Sequence, residues 1–252
     1  MVHFVGAGSG AEDLITLRGY RLLQEADVII YAGSLVNPKL LDYKKEDCKV
    51  YNSAYMNLEE VIQVMMDAER NGFMTVRLHT GDPSIYGAIR EQIDKLKKLK
   101  IDFDVCPGVS SFCGAAASLN LEYTLPNVSQ TVIITRMAGR TPVPEKEEIK
   151  KLASHQATMV IFLSTGMLEE LSKELIEGGY YSDTPAAICY KATWPEEKKL
   201  HCTVGTLAMT AKKENITKTA LIIVGNVLGD TYDYSKLYDA TFTTEYRTGR
   251  PL

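Results

Sequence analysis

The sequence lacks several features that would each have named a function class. No apolar run approaches the roughly 20 residues of a membrane-crossing helix. The five cysteines (Cys48, Cys106, Cys113, Cys189, Cys202) are odd in number and contain no Cys-x-x-Cys, which argues against a disulfide framework or a zinc site and for reduced thiols in the cytoplasm. The four histidines, His3, His79, His155 and His201, form no ligand-spaced pair, so no protein-held metal is expected. There is no excess of positive charge: the formal net charge is −4, which disfavours binding of nucleic acid through a basic surface. No charged n-region precedes Val2-His3-Phe4-Val5-Gly6, so no signal peptide is expected. Neither a short-period repeat nor a low-complexity tract occurs.

What is present is alternation. With 252 residues the chain is long enough for two domains. Val2–Val5, Val28–Tyr31, Thr75–Leu78 and Phe103–Cys106 read as strands, and Asp13–Glu25, Leu58–Arg70, Ile89–Leu99 and Ser110–Leu119 as helices between and after them. That order predicts a parallel sheet covered by helices. The pattern breaks near Glu122–Asn127. A second series follows: strands at Thr131–Arg136, Thr158–Leu163, Ala186–Tyr190, Lys199–Val204 and Ala220–Val224, and helices at Glu145–Ala153, Leu168–Glu177 and Leu207–Lys213. No helix separates the strands near 186–204, which predicts antiparallel pairing there. The expectation is an α/β domain over 1–119, a linker over 120–130 and a second α/β domain with a mixed sheet over 131–252.

Three loops stand at expected strand ends. His79-Thr80-Gly81-Asp82-Pro83-Ser84-Ile85-Tyr86-Gly87 follows Thr75–Leu78. Gly81 permits a turn or a close approach of backbone to a ligand, and Pro83 biases Asp82 toward an extended conformation. Loops at the carboxyl ends of strands in open α/β sheets are where ligands bind. Gly6-Ala7-Gly8-Ser9-Gly10-Ala11 satisfies the loose dinucleotide fingerprint, but its second strand ends Tyr31-Ala32-Gly33, without the acid that would hold a ribose. A nicotinamide dehydrogenase therefore stands as the alternative reading. Pro107-Gly108-Val109-Ser110-Ser111 forms the third loop, where Ser110 or Ser111 caps a helix or meets a ligand. No Gly-x-Ser-x-Gly surrounds Ser111, so it is not read as a nucleophile. Arg136 and Arg140 flank a turn and suit a polycarboxylate ligand. The pairs Glu59-Glu60, Glu147-Glu148 and Glu169-Glu170 read as solvated helix faces, and Trp194–Lys199 as a hairpin tip.

Taken together, Gly6-Ala7-Gly8-Ser9-Gly10, Ala26–Tyr31, Gly81-Asp82-Pro83, Pro107–Ser111 and Ala220–Gly225 resemble the tetrapyrrole methylase family in order and spacing, over essentially the whole chain. The resemblance implies two α/β domains with S-adenosylmethionine folded in a cleft between them, leaving as S-adenosylhomocysteine, and a homodimer. Tyr31–Val36, Gly81–Arg90, Ser129-Gln130-Thr131 and Gly139–Pro142 are similar to the branch that methylates carbon 11 of precorrin-4 or cobalt-precorrin-4 during corrin assembly. Carried over by position, Gly81, Asp82, Ile85, Ser110, Ser111, Leu163, Ala192, Ala220 and Leu221 are implied cofactor residues, with Asp82 the candidate catalytic group. Ser9, Gly10, Arg90, Arg136 and Arg140 are the candidates for the tetrapyrrole side. Two positions depart from relatives. The usual Gly-Pro-Gly-Asp is Gly8-Ser9-Gly10-Ala11, and the acid that follows the second strand in uroporphyrinogen methylases falls at Ala32. Other members of the family act on a translation factor or ribosomal RNA, and a non-catalytic tetrapyrrole-binding module is a further alternative.

Overall fold

The computed structural model describes residues 1–250; the last two positions of the expected second domain lie outside the described residues. The chain divides into two compact units, Met1–Ala117 with Lys191–Glu197, and Ser118–Tyr190 with Lys198–Leu252.

The first unit is built on β1 (Val2–Gly6), α1 (Leu17–Glu25), β2 (Val28–Tyr31), β3 (Lys49–Asn52), α2 (Leu58–Arg70), β4 (Thr75–His79), α3 (Ile89–Leu99), β5 (Phe103–Cys106) and most of α4 (Ser111–Leu119). The strands form one sheet in the order β3-β2-β4-β1-β5, and every pairing is parallel. A parallel sheet is covered on both faces. Accordingly Val5, Ile29, Val76 and Leu78 join one buried cluster with Leu23, while Val2, Phe4, Val28 and Ile30 join another with Met65 and Leu96. The helices start where local chemistry starts them. Thr16 accepts the Gly19 amide at 3.1 Å, so α1 begins at Leu17 and the stretch before it is a short 3-10 turn. Asn57 and Glu60 form a reciprocal capping box for α2.

The second unit holds β6 (Val132–Arg136), α5 (Ile149–Ala153), β7 (Thr158–Phe162), α6 (Leu168–Glu177), β8 (Pro185–Tyr190), β9 (Lys198–Thr203), α7 (Leu207–Lys213) and β10 (Ala220–Val224). Its sheet runs β6-β7-β10-β8-β9. Only β6 and β7 pair in parallel; β10 is antiparallel to β7 and β8, and β8 to β9. The expected antiparallel pairing is present, and the segment 191–197 is the tip between β8 and β9. The expected helix at Glu145–Ala153 is a 3-10 turn followed by the shorter α5, because Glu148 interrupts it in an extended conformation.

Candidate functional site

Three loops at the carboxyl ends of β1, β4 and β5 pack backbone on backbone. Gly8 and Gly81 exchange hydrogen bonds: the Gly81 amide donates to the Gly8 carbonyl at 3.0 Å, and the Gly8 amide donates back at 3.3 Å. The Ala7 amide donates to the His79 carbonyl at 2.7 Å. A Cβ on Gly6 would stand 2.5 Å from the Gly108 Cα, and one on Gly108 would stand 2.2 Å from the Gly81 carbonyl oxygen. No side chain fits either place. Gly81 also adopts φ +62°, which favours glycine.

Asp82 fastens this cluster. Its Oδ1 accepts the Ser84 amide at 2.8 Å and the Ser84 hydroxyl, and its Oδ2 accepts the Gly108 amide at 2.8 Å. Burial by itself would raise the carboxyl pKa; the bonds from Ser84 and Gly108 outweigh it and hold the group below the ordinary carboxylate value. Asp82 is thus a charged staple between two loops at neutral pH, not a store of protons. Ile85 follows in the same loop, its amide donating to the Asp82 carbonyl at 3.3 Å. The buried Ser110 turns its carbonyl to the amides of Cys113 (3.0 Å) and Gly114 (3.1 Å), which starts α4. The missing Gly81 Cβ would lie 3.3 Å from the Ser111 nitrogen, so Ser110 and Ser111 border the loop that carries Asp82.

A second group of expected site residues gathers around the 191–197 tip. The Ser9 and Thr193 hydroxyls are 3.2 Å apart, and Thr193 Oγ1 accepts the Ala11 amide at 3.0 Å. Asn37 donates to the Gly10 carbonyl at 2.9 Å. A Cβ on Gly10 would stand 2.2 Å from Trp194 Cδ1 and 2.7 Å from the Ala192 carbonyl oxygen. The glycine-rich first loop therefore owes its lack of side chains to protein neighbours: Gly6 and Gly8 to backbone, Gly10 to the Trp194 indole. Ala192 itself is buried.

Elsewhere the expected residues are arranged as follows. Arg90, at the start of α3, is exposed and its Nε donates to both Asp94 oxygens at 3.0 Å. In the second unit, Arg136 spends three hydrogen bonds on its own turn, to the carbonyls of Met137 (3.0 Å), Thr141 (3.2 Å) and Pro142 (2.8 Å). Arg140 is exposed in that turn. Leu163, directly after β7, is 64 % exposed and adopts φ +53°, a conformation that L-residues rarely take. Ala220 and Leu221 open β10, where Thr165 Oγ1 donates to the Ala220 carbonyl at 3.1 Å.

Four contributors carry no site role in the sequence reading: Thr193 and Trp194, which hold the first loop, and His79 and Thr80, which lead into the Asp82 loop. His79 Nε2 and Thr80 Oγ1 are buried and have no hydrogen-bond partner among the described residues. The His79 ring stacks on Phe4, with centroids 6.1 Å apart. Burial, and then the Arg77 charge, push its pKa down to about 3, so the imidazole is neutral. Alternation along β4 was the available signal: Thr75, Arg77 and His79 share one face of a wholly buried strand. Among the described residues no group of three or more His, Cys, Asp or Glu side chains could hold a metal ion, and no helix is long and apolar enough to cross a membrane.

A parallel sheet with glycine-packed loops at its carboxyl end, in a chain with a second, mixed sheet, defines an α/β protein of the kind that binds small ligands at strand ends. The family model of the Tetrapyrrole (Corrin/Porphyrin) Methylases matches residues 1–208, and the chain belongs to that family. Among its relatives, the cobalt-precorrin-4 C(11)-methyltransferase of Methanocaldococcus jannaschii is 60 % identical over 98 % of this chain and 95 % of its own length. The precorrin-4 C(11)-methyltransferase of Pseudomonas aeruginosa is 42 % identical, over 98 % and 99 % respectively. A solved structure of a cobalt precorrin-4 methyltransferase superimposes with a TM-score of 0.89 at 45 % identity, over 91 % of this chain and 96 % of that one. Membership decides between the methylase and the nicotinamide dehydrogenase in favour of the former.

Proposed function

We propose that this protein transfers a methyl group from S-adenosylmethionine to carbon 11 of precorrin-4, in its cobalt-bearing or metal-free form. The observation that carries the reading is identity of 60 % along nearly the full length of a relative named for that reaction. That relative is named for the cobalt-bearing substrate and the one at 42 % for the metal-free one, so the cobalt form is assayed first.

The first unit suits the methyl donor. Its loops bring bare backbone together at Gly6, Gly81 and Gly108, and the buried Thr80 hydroxyl beside them has no hydrogen-bond partner among the described residues, as an atom reserved for a polar ligand group would. On this reading Gly81, Asp82, Ile85, Ser110, Ser111, Leu163, Ala192, Ala220 and Leu221 are the proposed donor residues. Bound S-adenosylmethionine supplies a methyl group on a sulfonium, already activated for displacement by a nucleophilic ring carbon. The chain's task is then to orient and to exclude water. Holding two reactants in line is worth effective molarities on the order of 10⁵ M or more. A rigid loop, stapled by Asp82 to Gly108, performs that task without reorganising. Asp82 acts here by position; its depressed pKa makes it a poor proton acceptor. Arg90, Arg136 and Arg140, with Ser9 and Gly10, are the proposed partners of the substrate's carboxylates. A homodimer in the cytoplasm completes the reading, on the family resemblance and the reduced thiols.

Calorimetric titration with S-adenosylhomocysteine, followed by turnover with cobalt-precorrin-4 and precorrin-4 and mass analysis, tests this. Binding and gain of one methyl group are expected; a protein that binds the thioether but leaves both tetrapyrroles unchanged would refute the substrate assignment.

A further inference from the structure

Arg77 lies on β4, two residues before the strand ends, and is buried. None of the ion pairs among the described residues involves it. Its guanidinium donates to neutral acceptors: Nη1 to the Ile30 carbonyl and Nε to Gln92 Oε1, each at 3.1 Å. Gln92, buried on α3, passes the contact on, donating from Nε2 to the Ala88 carbonyl at 3.0 Å. Ala88 closes the loop that began after His79, and it does so at φ +50°, ψ +36°. Tyr86, two residues earlier, stands at φ +54°. Two L-residues in the left-handed region mark a segment whose geometry is imposed by its surroundings. The same polar chain thus grips the loop's exit, while β4 itself feeds the entrance.

We propose that Arg77 and Gln92 are positioning residues for the ligand loop 80–88, acting through the Ala88 carbonyl. The inference rests on the reading of that loop as the holder of S-adenosylmethionine and deepens it. The chemistry selects these residue types. A guanidinium only donates, so it fixes the amide of Gln92 with its oxygen toward Arg77 and its nitrogen toward Ala88. Glutamate at 92 would keep the acceptor for Arg77 and lose the donor for Ala88. Leucine would lose both. A network whose only purpose is to satisfy the buried cation would be content with glutamate; one that sets the loop would not.

The test compares wild type, Gln92→Glu and Gln92→Leu. Two measurements are made at a temperature where circular dichroism shows the variants folded: amide hydrogen exchange over residues 84–89 without ligand, and calorimetric affinity for S-adenosylhomocysteine. Gln92→Glu is expected to melt near the wild-type temperature yet exchange about tenfold faster in the loop and bind about tenfold more weakly, the scale of one buried hydrogen bond. Wild-type loop exchange in Gln92→Glu overturns the proposal, and that variant decides the matter even if Gln92→Leu does not fold. Exchange reports on the loop without any ligand. Failure of the wild-type protein to bind the thioether would therefore count against the donor assignment alone, while faster loop exchange in the glutamate variant would still uphold the positioning role.

Discussion

Asp82 and Gly108, 26 positions apart, are joined by one hydrogen bond of 2.8 Å from the Gly108 amide to the Asp82 carboxylate. That bond ties the loop after β4 to the loop after β5. The other carboxylate oxygen is held by Ser84, so the side chain acts as a local brace and a long-range tie together.

Removing the tie separates folding from binding. Asp82→Ala is expected to lower stability by about 1.5–3 kcal/mol, the range for hydrogen bonds to a charged group. It is expected to weaken affinity for S-adenosylhomocysteine by about tenfold or more. Calorimetry with and without ligand measures both, and unchanged affinity in a folded variant removes Asp82 from the donor site.

His79 makes stability depend on pH. Its native pKa is depressed from 6.5 to about 3, so the unfolded chain takes up a proton at a pH where the native imidazole stays neutral. The His79 contribution is fully present above pH 6.5 and declines as pH falls from there toward 3. Melting curves across that interval should fall more steeply for wild type than for His79→Gln; parallel curves would show that the imidazole titrates normally.

Gly10 and Trp194 are coupled by shape. Adding a methyl at Gly10 drives it into the indole and against the Ala192 carbonyl, and should cost about 1–3 kcal/mol, as overpacking does, of which only the indole's share depends on Trp194. In a Trp194→Ala background the same change should cost less, with an interaction energy of about 0.5–3 kcal/mol in a double-mutant cycle. Strict additivity would mean that the first loop does not rest on the indole.

Leu163 is apolar, mostly solvent-exposed and left-handed, a combination that costs the fold backbone strain for little burial. Leu163→Gly should release about 1 kcal/mol of backbone strain and leave the melting temperature equal or higher. Its affinity for S-adenosylhomocysteine should fall. A variant that binds normally would leave the leucine without a role in the donor site.

Arg136 is committed in part to its own turn through three carbonyls. Arg136→Ala should raise the Michaelis constant for the tetrapyrrole more than that for S-adenosylmethionine. Equal increases would assign the guanidinium to the turn alone.

Much of the fold was legible because strand and helix periods are local properties. The apolar runs Val28–Tyr31 and Ala220–Val224 and the capped pattern of α2 announce themselves. β3 did not: Lys49-Val50-Tyr51-Asn52 is a short edge strand, only partly buried, and edge strands carry little apolar signal. The loops were legible as loops, since Gly81-Asp82-Pro83 and Pro107-Gly108 are turn chemistry. Their contacts were not, for nothing local says that Gly108 will face Asp82.

By itself, then, the order of residues determined an alternating α/β chain, two series of strands, three glycine-bearing loops and the family they spell. Tertiary structure alone decided what those glycines are for, which carbonyls Arg136 and Gln92 would hold, and that Asp82 would serve as a staple. The reason is physical. Periodicity and turn preference act over a few residues, whereas close approach, burial of a lone polar atom and the company a carboxylate keeps are set by segments up to 184 positions apart, as Ser9 and Thr193 are.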